Sequence, residues 1–181
     1  MPTSKQPLRL RRRHAPTDAA QVSAEDGVRL VNAQSMRNAL VAGLISVVVF
    51  SILWVMLTRL TDRVFPWMTV LLGFMTGYAI RRAGRGVDAR FPILAGSLAL
   101  LGSLVANIVV AASNKAETLG VGTLEVLRSV TLMTWPVYFD EVITAADYIF
   151  AVIAAVVAAF YANRRLTRKQ YRALRLYEEQ L

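Results

Sequence analysis

The stretch NALVAGLISVVVFSILWVMLT, residues 38–58, runs for 21 residues without a charged side chain. Wound as a helix at about 1.5 Å per residue it reaches about 30 Å, the thickness of the hydrocarbon core of a bilayer. A water-soluble helix of this length would repeat polar residues every three or four positions, and this one does not. The reading of the whole chain follows from that block. Of its 181 residues 55% are hydrophobic and 18% charged, and the charges gather at the ends and in short clusters. Such a distribution is that of a membrane protein.

Three more blocks follow the first. Residues 64–80 are uncharged between Arg63 and Arg81, with Pro66 near the start, where a helix tolerates a missing amide donor. Residues 91–114 lie between Arg90 and Lys115, and a helix over this long block is expected to tilt or to end at about residue 113. The uncharged run 148–163 has 16 residues and covers only about 24 Å, so the fourth helix is expected to begin near Val142. The predicted fold class is all-α, a four-transmembrane-helix bundle with spans at about 38–58, 64–80, 91–113 and 142–163. Between the third and fourth spans, Leu124, Leu127, Val130 and Met133 fall at helical spacing. They predict an amphipathic surface helix ending near Pro136, and Trp135, Tyr138 and Phe139 suit the headgroup level.

Orientation follows from the basic residues, which are retained on the cytoplasmic side of a membrane. The amino-terminal segment carries seven, the loop Arg81–Arg90 four and the segment after Asn163 six, whereas the two loops on the other side carry only Arg59, Arg63, Lys115 and Arg128. An even number of crossings puts all three basic segments on one face. The expected location is therefore the inner (cytoplasmic) membrane, multi-pass, with both termini cytoplasmic, and the formal net charge of +9 reflects topology. Residues 1–37, with Arg9, Arg11, Arg12 and Arg13 beside Pro2, Pro7 and Pro16, read as a disordered basic tail. They do not read as a cleavable signal peptide, because no apolar stretch starts before Leu40. A short helix led by Ser23 is expected over about Ala24–Arg37. Residues 164–181 read as a basic amphipathic cytoplasmic continuation of the fourth helix, suited to the inner-leaflet surface or an acidic partner.

The chain has no cysteine and one histidine, His14, in the polar tail, which excludes disulfides, thiol nucleophiles and a histidine-based catalytic or metal site within the membrane. Ser97 and Ser103 lack such a partner. No catalytic, cofactor-binding or metal-ligating residue is assigned, and the chain is not read as an enzyme. Gly73 and Gly77 form a Gly-x-x-x-Gly pair, and Ala151, Ala155 and Ala159 a small-residue strip, both suited to close helix packing within the chain or between copies. Ala154, Ala158 and Ala162 make a neighbouring strip. Asn107 needs partners where lipid offers none, and either bonds another helix or joins Asp147 in a polar path near the outer leaflet. Asp147 has a local alternative, capping the fourth helix.

The string Gly77-Tyr78-Ala79-Ile80-Arg81-Arg82-Ala83-Gly84-Arg85-Gly86 fits a tight turn whose arginines Arg81, Arg82 and Arg85 contact lipid phosphates. A phosphate-binding P-loop is excluded because no lysine followed by Ser or Thr is present and no strand precedes it. The string resembles the Gly-Tyr-x-x-Arg-x-x-Gly-Lys-Gly pattern of small multi-span membrane proteins of unknown function, which implies a similar fold and no chemistry. The expected function is that of a non-catalytic accessory or scaffold subunit of a larger membrane assembly. The alternative is a small homo-oligomeric channel or transporter with a polar path near Asn107 and Asp147. Partners expected are the bilayer with its anionic inner-leaflet lipids, and other membrane subunits or further copies of the chain. Nucleic acid is not expected, since no DNA- or RNA-binding motif accompanies the basic residues.

Overall fold

A computed structural model describes residues 23–131 and 134–180, all helix, turn and loop. Among the described residues eight helices follow in order: α1 (Ala24–Asn32), α2 (Met36–Thr61), α3 (Met68–Gly84), α4 (Arg90–Leu119), α5 (Thr123–Ser129), α6 (Trp135–Val142), α7 (Ala145–Ala162) and α8 (Arg168–Glu178). Three of them, α2, α4 and α7, are long and apolar enough to cross a membrane. The fold is all-helical, as the sequence predicts. α3 has 17 residues and reaches about 26 Å.

The chain divides into two compact units, one over Leu30–Arg165 and one formed by the segments before Leu30 and after Arg165. In the larger unit α3 and α4 lie at the centre, touching each other and both of α2 and α7, while α2 and α7 share no packing contact. The flanking position of α2 explains its composition. Its outward residues Leu44, Ile45, Val48, Val49, Ile52 and Leu53 are all exposed, and only Ala39, Gly43, Phe50, Trp54 and Thr58 are buried. An apolar surface of that extent marks a contact with lipid or with another protein.

Helix ends are set by local chemistry that hydropathy does not report. The Ser35 hydroxyl accepts from Asn38 N–H at 3.3 Å and starts α2 at Met36, two residues ahead of the uncharged block. Phe65, Pro66 and Trp67 form a turn whose carbonyls accept from the amides of residues 68–70, so α3 begins at Met68 and runs to Gly84 instead of spanning 64–80. α4 does not stop at residue 113. It continues to Leu119 because Ala112 and Ala116 pack against Val126 of α5, and Gly120, at φ +67°, then caps it in the left-handed region.

The expected single surface helix is two, α5 and α6. α6 ends at Val142, and α7 starts at Ala145 instead of Val142 because Thr144 and Asp147 close a capping box. Residues 164–181 are not a continuation of α7, since Asn163 leaves helical geometry. A separate helix, α8, starts after Thr167, whose hydroxyl accepts from Gln170 N–H while Gln170 Oε1 accepts from Thr167 N–H.

In the smaller unit the first residues of α1 pack on α8. A Cβ at Gly27 would come within 2.8 Å of Tyr177 Cβ, so the missing side chain is what lets the two helices meet, with Ala173 buried between them. Of the segment expected to be a disordered tail, residues 23–37 are ordered as α1, a turn and the start of α2. Arg9, Arg11, Arg12, Arg13 and His14 lie outside the described residues.

Candidate functional site

α3 and α7 run parallel in close contact. A Cβ added to Gly73 would lie 2.8 Å from Ala154 Cα, and one added to Gly77 would lie 2.9 Å from Ala158 Cα, closer than real side chains approach backbone. Both glycines of the Gly-x-x-x-Gly pair therefore face their own chain. The strip they meet is Ala154, Ala158 and Ala162, neighbour to the strip singled out in the sequence. Ala155 and Ala159 turn toward Gly96 of α4, and Ala151 is buried. The two contacts share one register, since Gly73 pairs with Ala154 and Gly77 with Ala158, an offset of 81 residues in each. Carried one turn further, that register sets Arg81 beside Ala162 and brings Arg85 level with the residues that follow α7.

There the arginines converge. Arg81, Arg82, Arg85, Arg164 and Arg165 line one concavity of about 550 Å³. Its frame is held by backbone. Arg85 adopts φ 51° and its amide donates to Arg81 O, ending α3, while Arg164 N–H donates to Gly86 O at 3.3 Å, tying the end of α7 to the turn. The Phe91 ring packs directly on Gly86, where a Cβ would lie 2.5 Å from Phe91 Cδ1 or nearer still to other ring atoms, so only glycine fits. From the start of α2, Ser35 N–H donates to Gly84 O at 2.9 Å and Gln34 Oε1 accepts from Val87 N–H at 3.2 Å. Arg82 stands over the Tyr78 ring, 6.0 Å from its centroid. Among the described residues the one ion pair is Arg175–Glu179, so no carboxylate neutralises any of the five.

Asn107 and Asp147 are not brought together by any hydrogen bond among the described residues. Asn107 is 7% exposed on α4 and its Nδ2 has no hydrogen-bond partner among the described residues. Asp147 Oδ2 accepts from Thr144 N–H at 2.9 Å and from the Thr144 hydroxyl at 2.7 Å, which is the local capping role. The end of the bundle opposite the arginines holds a polar cavity of about 240 Å³ lined by Thr58, Asp62, Val64, Asn114, Glu117 and Thr118. Beside it Arg59 donates to the Ser113 hydroxyl at 2.8 Å and to the Thr123 hydroxyl at 3.0 Å.

Arg81, Arg82 and Arg85 are legible as a basic turn. Arg164 and Arg165, read in the sequence only as part of a basic tail, belong to the same site, and Gln34, Gly86 and Phe91 frame it. The small-residue register of α3 and α7 is the signal that joins them. No protein-family model, curated protein or solved structure matches the chain. The class that fold and site define is a small helical bundle with three helices long and apolar enough to cross a membrane and an arginine-lined end.

Proposed function

We propose that the chain is a non-catalytic integral membrane protein with four crossings, α2, α3, α4 and α7, acting as an accessory or scaffold subunit of a larger membrane assembly. One observation carries this reading. The buried polar residues among those described are Thr58, Thr69, Thr76, Ser103, Asn107 and Ser113, with no carboxylate, lysine or arginine among them, and α3 meets α7 backbone to backbone. An ion or proton path through a bundle ordinarily needs ionisable groups or a wet cavity in its interior. A closed interior suits a rigid body that positions its surfaces.

Because the glycine and alanine faces are taken up within the bundle, assembly does not use them. The outward face of α2 is the surface left for a neighbouring helix or lipid. The fourth crossing rests on α3 lying between three apolar helices in a bundle whose ends alternate. The convergence of the arginine-bearing ends on one side agrees with an inner membrane whose cytoplasmic face receives both termini.

The test is the mass and composition of the complex extracted from its native membrane in mild detergent. A different protein in fixed stoichiometry supports the accessory role. A chain recovered alone or only with copies of itself refutes it.

A further inference from the structure

We propose that the concavity lined by Arg81, Arg82, Arg85, Arg164 and Arg165 is a binding site for an anionic ligand bearing at least two phosphate groups. The argument is independent of the accessory role. Arginines flanking a membrane span usually scatter their heads into water or over lipid phosphates as single contacts. Here two runs about 80 residues apart are drawn to one concavity of about 550 Å³ with no acidic partner among the described residues. Five like charges held together repel one another, and nothing in the described protein offsets this. A ligand does so if its negative charge is comparably concentrated. A single phosphodiester carries one charge and satisfies one guanidinium fork, or two at most. Two or more phosphates on one ligand come closer to five forks in both charge and acceptor number than one does, since guanidinium binds phosphate through paired hydrogen bonds.

The site is also built in advance. The register of α3 on α7, the hydrogen bond from Arg164 N–H to Gly86 O and the Phe91 ring against Gly86 fix the two backbones that carry the arginines. Their ordering therefore costs the ligand little beyond the side chains themselves. The volume admits a diphosphate with part of a headgroup, within the range of small-ligand sites. The same chemistry is offered by a lipid headgroup with two phosphates and by a soluble diphosphate.

The experiment uses the full chain in a neutral detergent. Pyrophosphate and orthophosphate are titrated by calorimetry, and diphosphatidylglycerol and phosphatidylglycerol are counted on the protein by native mass spectrometry. The probe with two phosphates is expected to bind about tenfold more tightly than its single-phosphate counterpart in at least one of the two pairs. R164Q/R165Q should weaken that binding by about tenfold, and R168Q/R172Q, which removes the same charge from α8, by less than about twofold. Preference confined to the lipid pair identifies a headgroup site, and preference for pyrophosphate a soluble ligand. Equal affinity for one and two phosphates, or equal losses in the two double variants, overturns the site in favour of diffuse surface charge. If R164Q/R165Q melts at a lower temperature than the parent, R82Q, which changes an exposed side chain, replaces it in the same comparison.

Discussion

Gly77→Ala and Gly96→Ala should change stability in opposite directions, although both place a methyl group on a helix that packs against α7. At Gly77 the new Cβ would lie 2.9 Å from Ala158 Cα and nearer still to the Ala158 carbonyl oxygen. Ordinary contact begins at 3.4 Å, so α3 and α7 must separate by at least 0.5 Å. No rotamer change relieves this, because the obstacle is backbone. A gap of about 0.5–1 Å forfeits a quarter to a half of each dispersion contact along the seam, and inserted methyl groups in closed cores cost about 1–3 kcal/mol. Against that, alanine gains up to about 1 kcal/mol of helix propensity over glycine. The net expectation for Gly77→Ala is a loss of about 1–2 kcal/mol. At Gly96 the nearest atom to the new Cβ is Ala155 O at 3.4 Å, so the propensity term stands nearly alone and the variant should be neutral or stabilised by up to about 1 kcal/mol.

Equilibrium unfolding in mixed micelles, followed by far-ultraviolet circular dichroism, measures both. Gly73→Ala together with Gly77→Ala should cost less than the sum of the single losses, because the first separation already admits the second methyl. Shifts of the same sign at positions 77 and 96 would refute the packing argument, as would a strictly additive double variant.

Asp147→Ala removes one half of the α7 capping box and should cost about 0.5–2 kcal/mol in the same assay, with Thr144→Ala adding little once Asp147 is gone; full additivity would mean that the two side chains do not act as one cap. Asn107→Leu should be neutral or stabilising, because the buried Nδ2 makes no hydrogen bond that the change would break, and a loss above about 1 kcal/mol would reveal a polar partner. Gly86→Ala forces the Phe91 ring aside and should destabilise by about 1–3 kcal/mol, with Phe91→Leu recovering part of that loss in a double-mutant cycle. Burial first, and Glu141 second, hold the Tyr138 phenol above its ordinary 10.0. Its neutral form is the one the fold favours, so its contribution is complete below pH 10 and fades as the pH rises through the folded value; the parent chain should lose stability more steeply than Tyr138→Phe above pH 10.

The long apolar helices were legible because lipid leaves a coarse signal, the absence of charge over about 20 residues. Their ends were less legible, because ends are decided by caps. Ser35, Thr144 with Asp147, and Gly120 move their boundaries by two, three and six residues without changing the hydropathy of the block. Depth along the spans suggests that Asn107 and Asp147 meet, whereas Asp147 Oδ2 accepts two hydrogen bonds within its own turn, the capping role that the sequence offers as its alternative. Arg81, Arg82 and Arg85 could be read as one turn from their spacing. That Arg164 and Arg165 join them could not, since nothing local to either run records the other.

The small residues of the bundle and the arginines at its end are parts of one arrangement. With glycine at 73 and 77 and alanine at 154 and 158, α3 and α7 approach backbone to backbone in the register that stacks these pairs. That register ends the two helices within one turn of each other, Ala162 level with Arg81 and Gly84 three residues beyond it. Arginines placed just before and just after those ends then have to meet. The closed interior that argues against a path through the bundle is thus also what gives the arginine-lined end a fixed geometry. A perturbation of the seam should be felt there even though no arginine is touched. Gly77→Ala, which parts the helices one turn below Arg81, should therefore weaken diphosphate binding as well as stability, while Gly96→Ala, on the other neighbour of α7, should leave binding unchanged.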